Sequence, residues 1–212
     1  MSTLKLISDI LEIELYSRNE IEFRPRNEFI SKILLVTLIT GIISLINWLI
    51  FITTIVPQNN INTPVGLMFI IIYVASGVLY NYGFYELGKY QGNTIIQNTS
   101  LIGMILVPSF YITFFISQII PLLFLNRICV IFTVINKIIF GIGLLKSKSQ
   151  FTILYRITGI LQILISPFFL LPILSVNIIG SWFAIPSLVC LLAIVYYEYK
   201  ESVGTNSILL SA

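Results

Sequence analysis

Long runs of apolar residues, separated by short clusters of polar residues, make up most of the chain after residue 31. Each run is long enough to cross about 30 Å of hydrocarbon as an α-helix, at a rise of about 1.5 Å per residue. Pro, Gly, Asn and Gln residues between the runs are typical of turns. The pattern predicts an all-α fold, a polytopic integral membrane helical bundle of about six transmembrane helices. The runs cover 32–56, 65–87, 96–117, 123–145, 152–173 and 178–198.

The first 31 residues differ from the rest, because they hold six of the nine acidic residues. Leu4, Ile7, Leu11 and Leu15 recur at helical spacing, which predicts an amphipathic helix over 3–17. Alternation of apolar and acidic residues over 11–15 fits a short hairpin, which remains the alternative. We divide the chain into an acidic cytoplasmic N-terminal segment (1–31), a six-helix membrane domain (32–200) and a short C-terminal tail (201–212).

The composition supports a surface that faces lipid. Hydrophobic residues make up 57% of the chain and charged residues 10%, and the mean hydropathy is +0.98. A soluble domain carries about 25% charged residues, so this chain has too few for a surface in water. The net charge is only +3, without a basic tract. We therefore expect a lipid bilayer as the surroundings and no nucleic acid as a partner.

Lys and Arg residues predict the orientation. They precede the first apolar run, follow the last, and occupy the second and fourth loops, whereas the first and fifth loops carry none. The positive-inside rule then places both termini on the cytoplasmic side of a cell (plasma) membrane. Tyrosines between 80 and 90 fit an aromatic belt at the same boundary. Arg127 lies near the third loop, and the sequence leaves open whether it is inside the membrane or in water.

The fourth apolar run carries the most unusual polar residues. Asn126, Thr133 and Lys137 share one helix face, with Asn136 beside them and Arg127 near the outer end. A charge at mid-depth costs about 2.5–3.5 kcal/mol on insertion scales, so it normally has a specific role. Lys137 has two interpretations. It either snorkels to the inner boundary or makes a structural hydrogen bond, or it belongs to an anion or headgroup site or a subunit contact.

Other polar residues also follow single helix faces. Thr158, Gln162 and Ser166 recur every four residues in the fifth run. Such stripes either hold helices together or line a pathway for a polar solute. Prolines beside serines in the third, fifth and sixth runs either kink ordinary bundle helices or open a substrate site. The candidate intramembrane polar site contains Asn126, Arg127, Thr133, Asn136, Lys137, Gln162 and Ser166.

The sequence lacks the residues that most catalytic sites use. It contains no histidine, and its two cysteines, Cys129 and Cys190, lie inside apolar runs. Glu86 and Glu198 are near helix ends, and no acidic residue lies at a helix centre, which argues against proton-driven transport. We therefore expect no catalytic, cofactor-binding or metal site, and no enzymatic activity.

Two stretches resemble a known family. One is Tyr85-Glu86-Leu87-Gly88-Lys89-Tyr90 with the polar helix start over 93–100, and the other runs from Asn136 through Lys148 to Ile160. Over about residues 35–200 they resemble an uncharacterised, largely archaeal family of small multi-pass membrane proteins with no assigned function. The resemblance implies a multi-pass topology and supplies no site residues.

Two functions follow from these observations. The first is a non-enzymatic integral membrane subunit or scaffold that acts through helix contacts with partner membrane proteins, since catalytic groups and core carboxylates are lacking. The alternative is a small transporter or channel for a polar or anionic solute. That alternative depends on the prolines, the polar stripes and Lys137.

Overall fold

A computed structural model describes residues 28–50, 53, 63–119, 123–170 and 174–204. Within these ranges, the side chains of 114–119, 123, 174–184 and 204 are not described. The described residues form six α-helices and no strand, which confirms the predicted all-α bundle. The helices are α1 (Glu28–Ile50), α2 (Pro64–Gln91), α3 (Thr94–Ile119), α4 (Leu123–Leu145), α5 (Thr152–Ile165), extended by a 3₁₀ helix (Ser166–Leu170), and α6 (Leu174–Gly204).

Five of these helices, α1 to α5 with its 3₁₀ extension, are long and apolar enough to cross a membrane. The chain is therefore a multi-pass membrane protein. α1 begins at Glu28, four residues before the predicted start at 32, and an ion pair of 2.8 Å joins Glu28 to Lys32 in its first turns. The helix or hairpin predicted within 1–31 lies outside the described residues.

The six helices form a closed ring in sequence order. Each helix packs against its neighbours along the chain, and α6 also packs against α1. Consecutive helices are antiparallel. In the first pair, Gly41 of α1 lies against Tyr80 of α2, while Asn47 donates a hydrogen bond to the Phe69 carbonyl (2.8 Å). We call the end that holds the start of α1 and the end of α6 the basal end, and the opposite end the distal end.

Small and hydroxyl side chains bring α1 and α2 together. Gly83 leaves room for the Thr37 side chain, which fills the position that a Cβ would take. Ser44 and Ser76 share a hydrogen bond of 2.7 Å across the same contact. The Thr37 and Ser44 side chains of α1 are thus used in helix packing, as hydroxyl groups in membrane bundles commonly are.

The apolar core lies in the basal half of the ring. Phe84 of α2 and Phe140 of α4 pack edge to face across it, with ring centroids 5.4 Å apart. Tyr80 packs against Phe84 at 5.2 Å. All six helices contribute buried apolar side chains to this core, namely Ile30, Leu34, Tyr80, Phe84, Leu87, Ile96, Leu144, Tyr155, Leu191, Leu192, Ile194 and Val195.

Candidate solute site in the bundle interior

The contacts of α4 show which of its faces looks into the ring. Gly141 packs against Gly159 of α5, where an added Cβ would lie 2.8 Å from the Gly159 carbonyl oxygen. Asn136 lies on the opposite side and donates to the Thr99 carbonyl of α3 (3.0 Å). Phe140 lies between these sides and reaches α2 across the ring. At 100° per residue, Lys137 also falls between them, so it lies on the interior face.

Lys137 makes its described contact with an aromatic ring. Its Nζ lies 4.6 Å from the ring centroid of Phe169, in the 3₁₀ helix at the distal end of α5. The ammonium therefore points away from Lys146 and the basal boundary, as helical side chains lean toward the helix N-terminus. This direction does not fit snorkelling to the inner boundary. Within the described ranges, Lys137 has no carboxylate close enough for an ion pair.

Tyr80 adds a hydroxyl group to the same interior. Its side chain is only 8% exposed, and Tyr80 Oη has no hydrogen-bond partner among the described residues. On α2, Gly83 faces α1 and Gly77 faces α3, where Val107 packs. Tyr80 lies between these two sides and therefore faces the interior. The prediction placed Tyr80 in an interfacial aromatic belt, whereas the structure buries it.

Ser187 of α6 supplies a second hydroxyl group. It is 3% exposed, and Ser187 Oγ also lacks a hydrogen-bond partner in the part of the chain that the structure describes. Three helical turns separate it from Glu198 on the same face. Because Glu198 accepts a hydrogen bond from Gln91 of α2 (3.0 Å), this face of α6 looks into the ring. Ser187 therefore points to the same interior as Tyr80 and Lys137.

Tyr80 and Lys137 lie at a similar height in the ring, and Ser187 lies distal to them. Tyr80 and Lys137 are one helical turn distal to Phe84 and Phe140, whose rings touch. Leu192 and Tyr80 both lie close to Gly41, and Ser187 is five residues distal to Leu192, about 7.5 Å along the axis. Since α2, α4 and α6 all begin at the distal end, their side chains lean distally. The ammonium group and the two hydroxyl groups thus lie on the distal side of the contact between Phe84 and Phe140.

A second aromatic layer bounds this region on the distal side. Tyr73 lies two turns distal to Tyr80 on the interior face of α2. Its ring centroid is 5.4 Å from that of Trp48 on α1 and 5.6 Å from that of Tyr111 on α3. The polar groups at Tyr80, Lys137 and Ser187 therefore lie between two aromatic layers.

The basal end is closed by a polar network centred on Glu198. Its Oε1 accepts hydrogen bonds from Tyr155 Oη (2.8 Å), Ser149 Oγ (2.6 Å) and Gln91 Nε2 (3.0 Å). Ser147 Oγ donates to Gln91 Oε1 (2.9 Å). The network joins α2, the α4–α5 loop, α5 and α6, and Tyr155 within it is fully buried.

One further carboxyl group lies near this network. Glu201 is in the last turns of α6, beyond the predicted span 178–198. Burial raises the pKa of the Glu201 carboxyl above its ordinary value, and a hydrogen bond with the Gln150 side chain partly opposes the change. Glu201 does not belong to the candidate site, because it lies at the basal end.

The other predicted site residues fall into different places. Thr133 and Asn126 share the interior face with Lys137, but the Thr133 hydroxyl is bonded to its own helix at the Cys129 carbonyl (2.8 Å). Asn126 Oδ1 is buried without a hydrogen-bond partner among the described residues. Arg127 is exposed. Asn136 is used in the contact with α3.

The predicted residues of α5 take part in packing. Gln162 lies beside Gly141 at the contact between α4 and α5. Ser166 is buried, and its hydroxyl donates to the Gln162 carbonyl (2.5 Å). The structure thus brings Lys137 to the interior face, places Gln162 in the contact between α4 and α5, and uses the Ser166 hydroxyl in a bond within its own helix.

Two of the three interior side chains, Tyr80 and Ser187, were not predicted as site residues. Tyr80 belongs to a tyrosine cluster, and Ser187 follows Pro186, so each was interpreted by its sequence neighbours. Helical spacing gave a usable signal for both. Tyr80 lies four residues before Phe84, and Ser187 four before Leu191, and both of those residues are in the core.

Comparisons with models of known protein families, with curated proteins and with solved structures found no match to this chain.

Proposed function

We propose that the chain is a small transporter or channel for a polar or anionic solute. The observation that carries this proposal is Lys137, a basic residue on the interior face of a membrane helix with no ion-pair partner among the described residues. Unpaired charges inside membrane helices normally serve a substrate or ion pathway, because they are costly to insert. The absence of histidine from the sequence supports a non-enzymatic role.

Flux through liposomes tests this proposal. Purified full-length protein is reconstituted into zwitterionic vesicles loaded with potassium chloride or potassium acetate, and anion efflux is followed after dilution. We expect efflux above that of protein-free vesicles, and at least a tenfold loss with Lys137→Met. Lys148→Met is the matched control, since Lys148 is exposed in the α4–α5 loop. Anion efflux equal to that of empty vesicles would contradict the proposal.

The subunit or scaffold function remains the second candidate. The observation that favours it is the closed basal half, where all six helices contribute to the core and the Glu198 network joins four parts of the chain. A scaffold needs no route through this region. Native mass spectrometry of the protein from its own membranes, in mild detergent, separates the two. A stoichiometric companion chain supports the subunit, and a lone monomer or homo-oligomer supports the transporter.

We also propose that the protein lies in the plasma membrane with its basal end in the cytoplasm. Exposed lysines at that end support this orientation, namely Lys89, Lys146, Lys148 and Lys200. A variant without Cys129 and Cys190 allows single cysteines to be labelled with a membrane-impermeant maleimide. Lys148→Cys should react only after the cells are permeabilised, and Val65→Cys, exposed at the start of α2, should react in intact cells. The reverse pattern would invert the topology.

A further inference from the structure

Lys137, Tyr80 and Ser187, which we call the interior group, offer several hydrogen-bond donors to the bundle interior. Lys137 contributes an ammonium group, and Tyr80 and Ser187 each contribute a hydroxyl group without a hydrogen-bond partner among the described residues. A buried hydroxyl group that lacks a partner is costly, so such groups normally meet a ligand or water. The carboxylate on the same face of α6, Glu198, lies three turns away in the basal network.

We infer that Lys137, Tyr80 and Ser187 form a binding site for one small monovalent anion. This inference deepens the proposed transport function, because it names the class of solute that the interior accepts. The ammonium group supplies the opposite charge, and the two hydroxyl groups donate hydrogen bonds to the anion. The face of the Phe169 ring carries partial negative charge and its edge partial positive charge. The ring face therefore attracts the Lys137 ammonium group rather than the anion.

Charge balance favours an anion with a single charge. The interior is walled by the apolar core below and the Trp48, Tyr73 and Tyr111 rings above. In such surroundings an unbalanced charge is strongly unfavourable. One lysine neutralises chloride, nitrate or acetate, whereas sulfate would leave one negative charge without a partner. Arg127 is exposed, and Lys146 and Lys148 are at the basal end, so these residues do not add a second charge.

A lipid phosphodiester carries the same single charge and could in principle provide the anion. The position of the site favours a free solute. Lys137 lies on the face of α4 that looks into the ring, with the 3₁₀ helix of Phe169 packed over it. A phospholipid headgroup at this place would have to leave its acyl chains outside a closed ring of helices.

Equilibrium dialysis of the full-length protein tests the inference directly. The protein is held in an uncharged detergent and a zwitterionic buffer, with radiolabelled acetate as the probe. We expect saturable binding near one acetate per chain. Nitrate and chloride should displace it, and sulfate at the same ionic strength should not. Short-chain phosphatidylglycerol serves as the lipid competitor, and its displacement of acetate would overturn the assignment to a free solute.

Variants then locate the site. Lys137→Met should abolish acetate binding, and the control Lys148→Met should leave it unchanged. Tyr80→Phe and Ser187→Ala should each weaken binding by about 2–10-fold, the effect of one hydrogen bond. Both remove only a hydroxyl group that has no partner in the described residues, so without anion they should unfold at the same temperature as the parent protein or higher.

The outcomes separate this inference from the proposed function. Acetate binding that Lys137→Met abolishes, without flux in liposomes, supports the site and contradicts transport. Flux that persists in Lys137→Met, with sulfate carried as well as acetate, supports transport and overturns the site. If Lys137→Met does not fold, Tyr80→Phe still tests the proposed site. Unchanged acetate binding in that folded variant would contradict the site.

Discussion

Gly83 sets the distance between α1 and α2. The Thr37 side chain occupies the place of a Cβ at this residue, and its hydroxyl also donates to the Ile33 carbonyl of its own helix (2.7 Å). Gly83→Ala would therefore push Thr37 away or separate the helices. Overpacking of this kind costs about 1–3 kcal/mol. We expect a lower unfolding temperature in detergent, measured by circular dichroism.

Gly77 provides the matched control on the same helix. A Cβ added there would lie 3.2 Å from the Cγ1 atom of Val107, a side chain that can move by a few tenths of an ångström. Alanine also favours a helix over glycine by about 0.5–1 kcal/mol. Gly77→Ala should therefore change the unfolding temperature less than Gly83→Ala. Equal losses in the two variants would contradict the importance of the Thr37 contact.

At the residue scale, the sequence identified Lys137 but not the residues around it. A lysine at mid-depth is unusual by composition alone, so no structure is needed to notice it. Tyr80 and Ser187 are ordinary residues in a membrane helix, and their importance depends on which face looks into the ring. That depends on contacts between helices distant in the sequence. Gln162 and Ser166 were predicted as site residues from their regular spacing, but this spacing has a structural cause. Gln162 packs on α4, and the Ser166 hydroxyl is bonded within its own helix.

At the scale of single helices, the apolar runs gave most of the boundaries. The predicted fourth segment, 123–145, coincides with α4, and the others differ mainly at their ends. The prolines had different effects. Pro108 and Pro186 lie within continuous helices, whereas α5 changes to a 3₁₀ helix at Ser166, directly before Pro167. The residue type alone does not distinguish these outcomes, because neighbouring helices decide whether a helix continues past a proline.

The start of α3 depends on Asn93. Its Oδ1 accepts a hydrogen bond from the Ile96 amide (3.1 Å), and its Nδ2 donates to the Gly143 carbonyl of α4 (2.9 Å). Gly92 precedes it in the left-handed region at a φ of 67°, so α2 ends and α3 begins within two residues. Asn93→Ala should cost about 0.5–2 kcal/mol, the range for loss of an N-cap, plus the bond to α4.

The variant has a control within the same helix. Asn98 is exposed on α3, so Asn98→Ala should leave the unfolding temperature unchanged. Hydrogen exchange adds a local measurement, since the first amides of α3 should exchange faster in Asn93→Ala than in the parent protein. Unchanged exchange there would contradict the cap.

At the scale of the whole molecule, the sequence predicted the six α-helices of the described residues but not the ring. Alternating topology makes consecutive helices antiparallel neighbours, and this follows from short loops. Alternating topology does not, however, predict the contact between the last helix, α6, and the first helix, α1. The contact depends on Gly41, which allows Leu192 and Tyr80 to approach the same point on α1. The sequence Ile-Thr-Gly-Ile occurs at both 39–42 and 157–160. Both copies mark such an approach, because Gly159 lies similarly close to Gly141.

Glu198 completes the ring at the basal end. It links helices that the chain separates by more than a hundred residues, as the bond between Gln91 and Glu198 shows. Glu198→Ala would leave Tyr155 Oη, Ser149 Oγ and one Gln91 donor without this acceptor. We expect a loss of at least about 1.5–3 kcal/mol, the range for one hydrogen bond to a charged group. Unfolding in mixed micelles with increasing denaturing detergent measures it.

Two further variants show whether the loss belongs to the network. Glu198→Gln keeps one side-chain oxygen as an acceptor, so it should be less destabilised than Glu198→Ala. Lys200→Met, at an exposed residue of the same helix, should unfold like the parent protein. If Glu198→Ala is as stable as Lys200→Met, the basal end is held by the apolar core alone. A closed basal half would then rest on contacts such as that between Phe84 and Phe140, which can slide more easily than a set of directed hydrogen bonds.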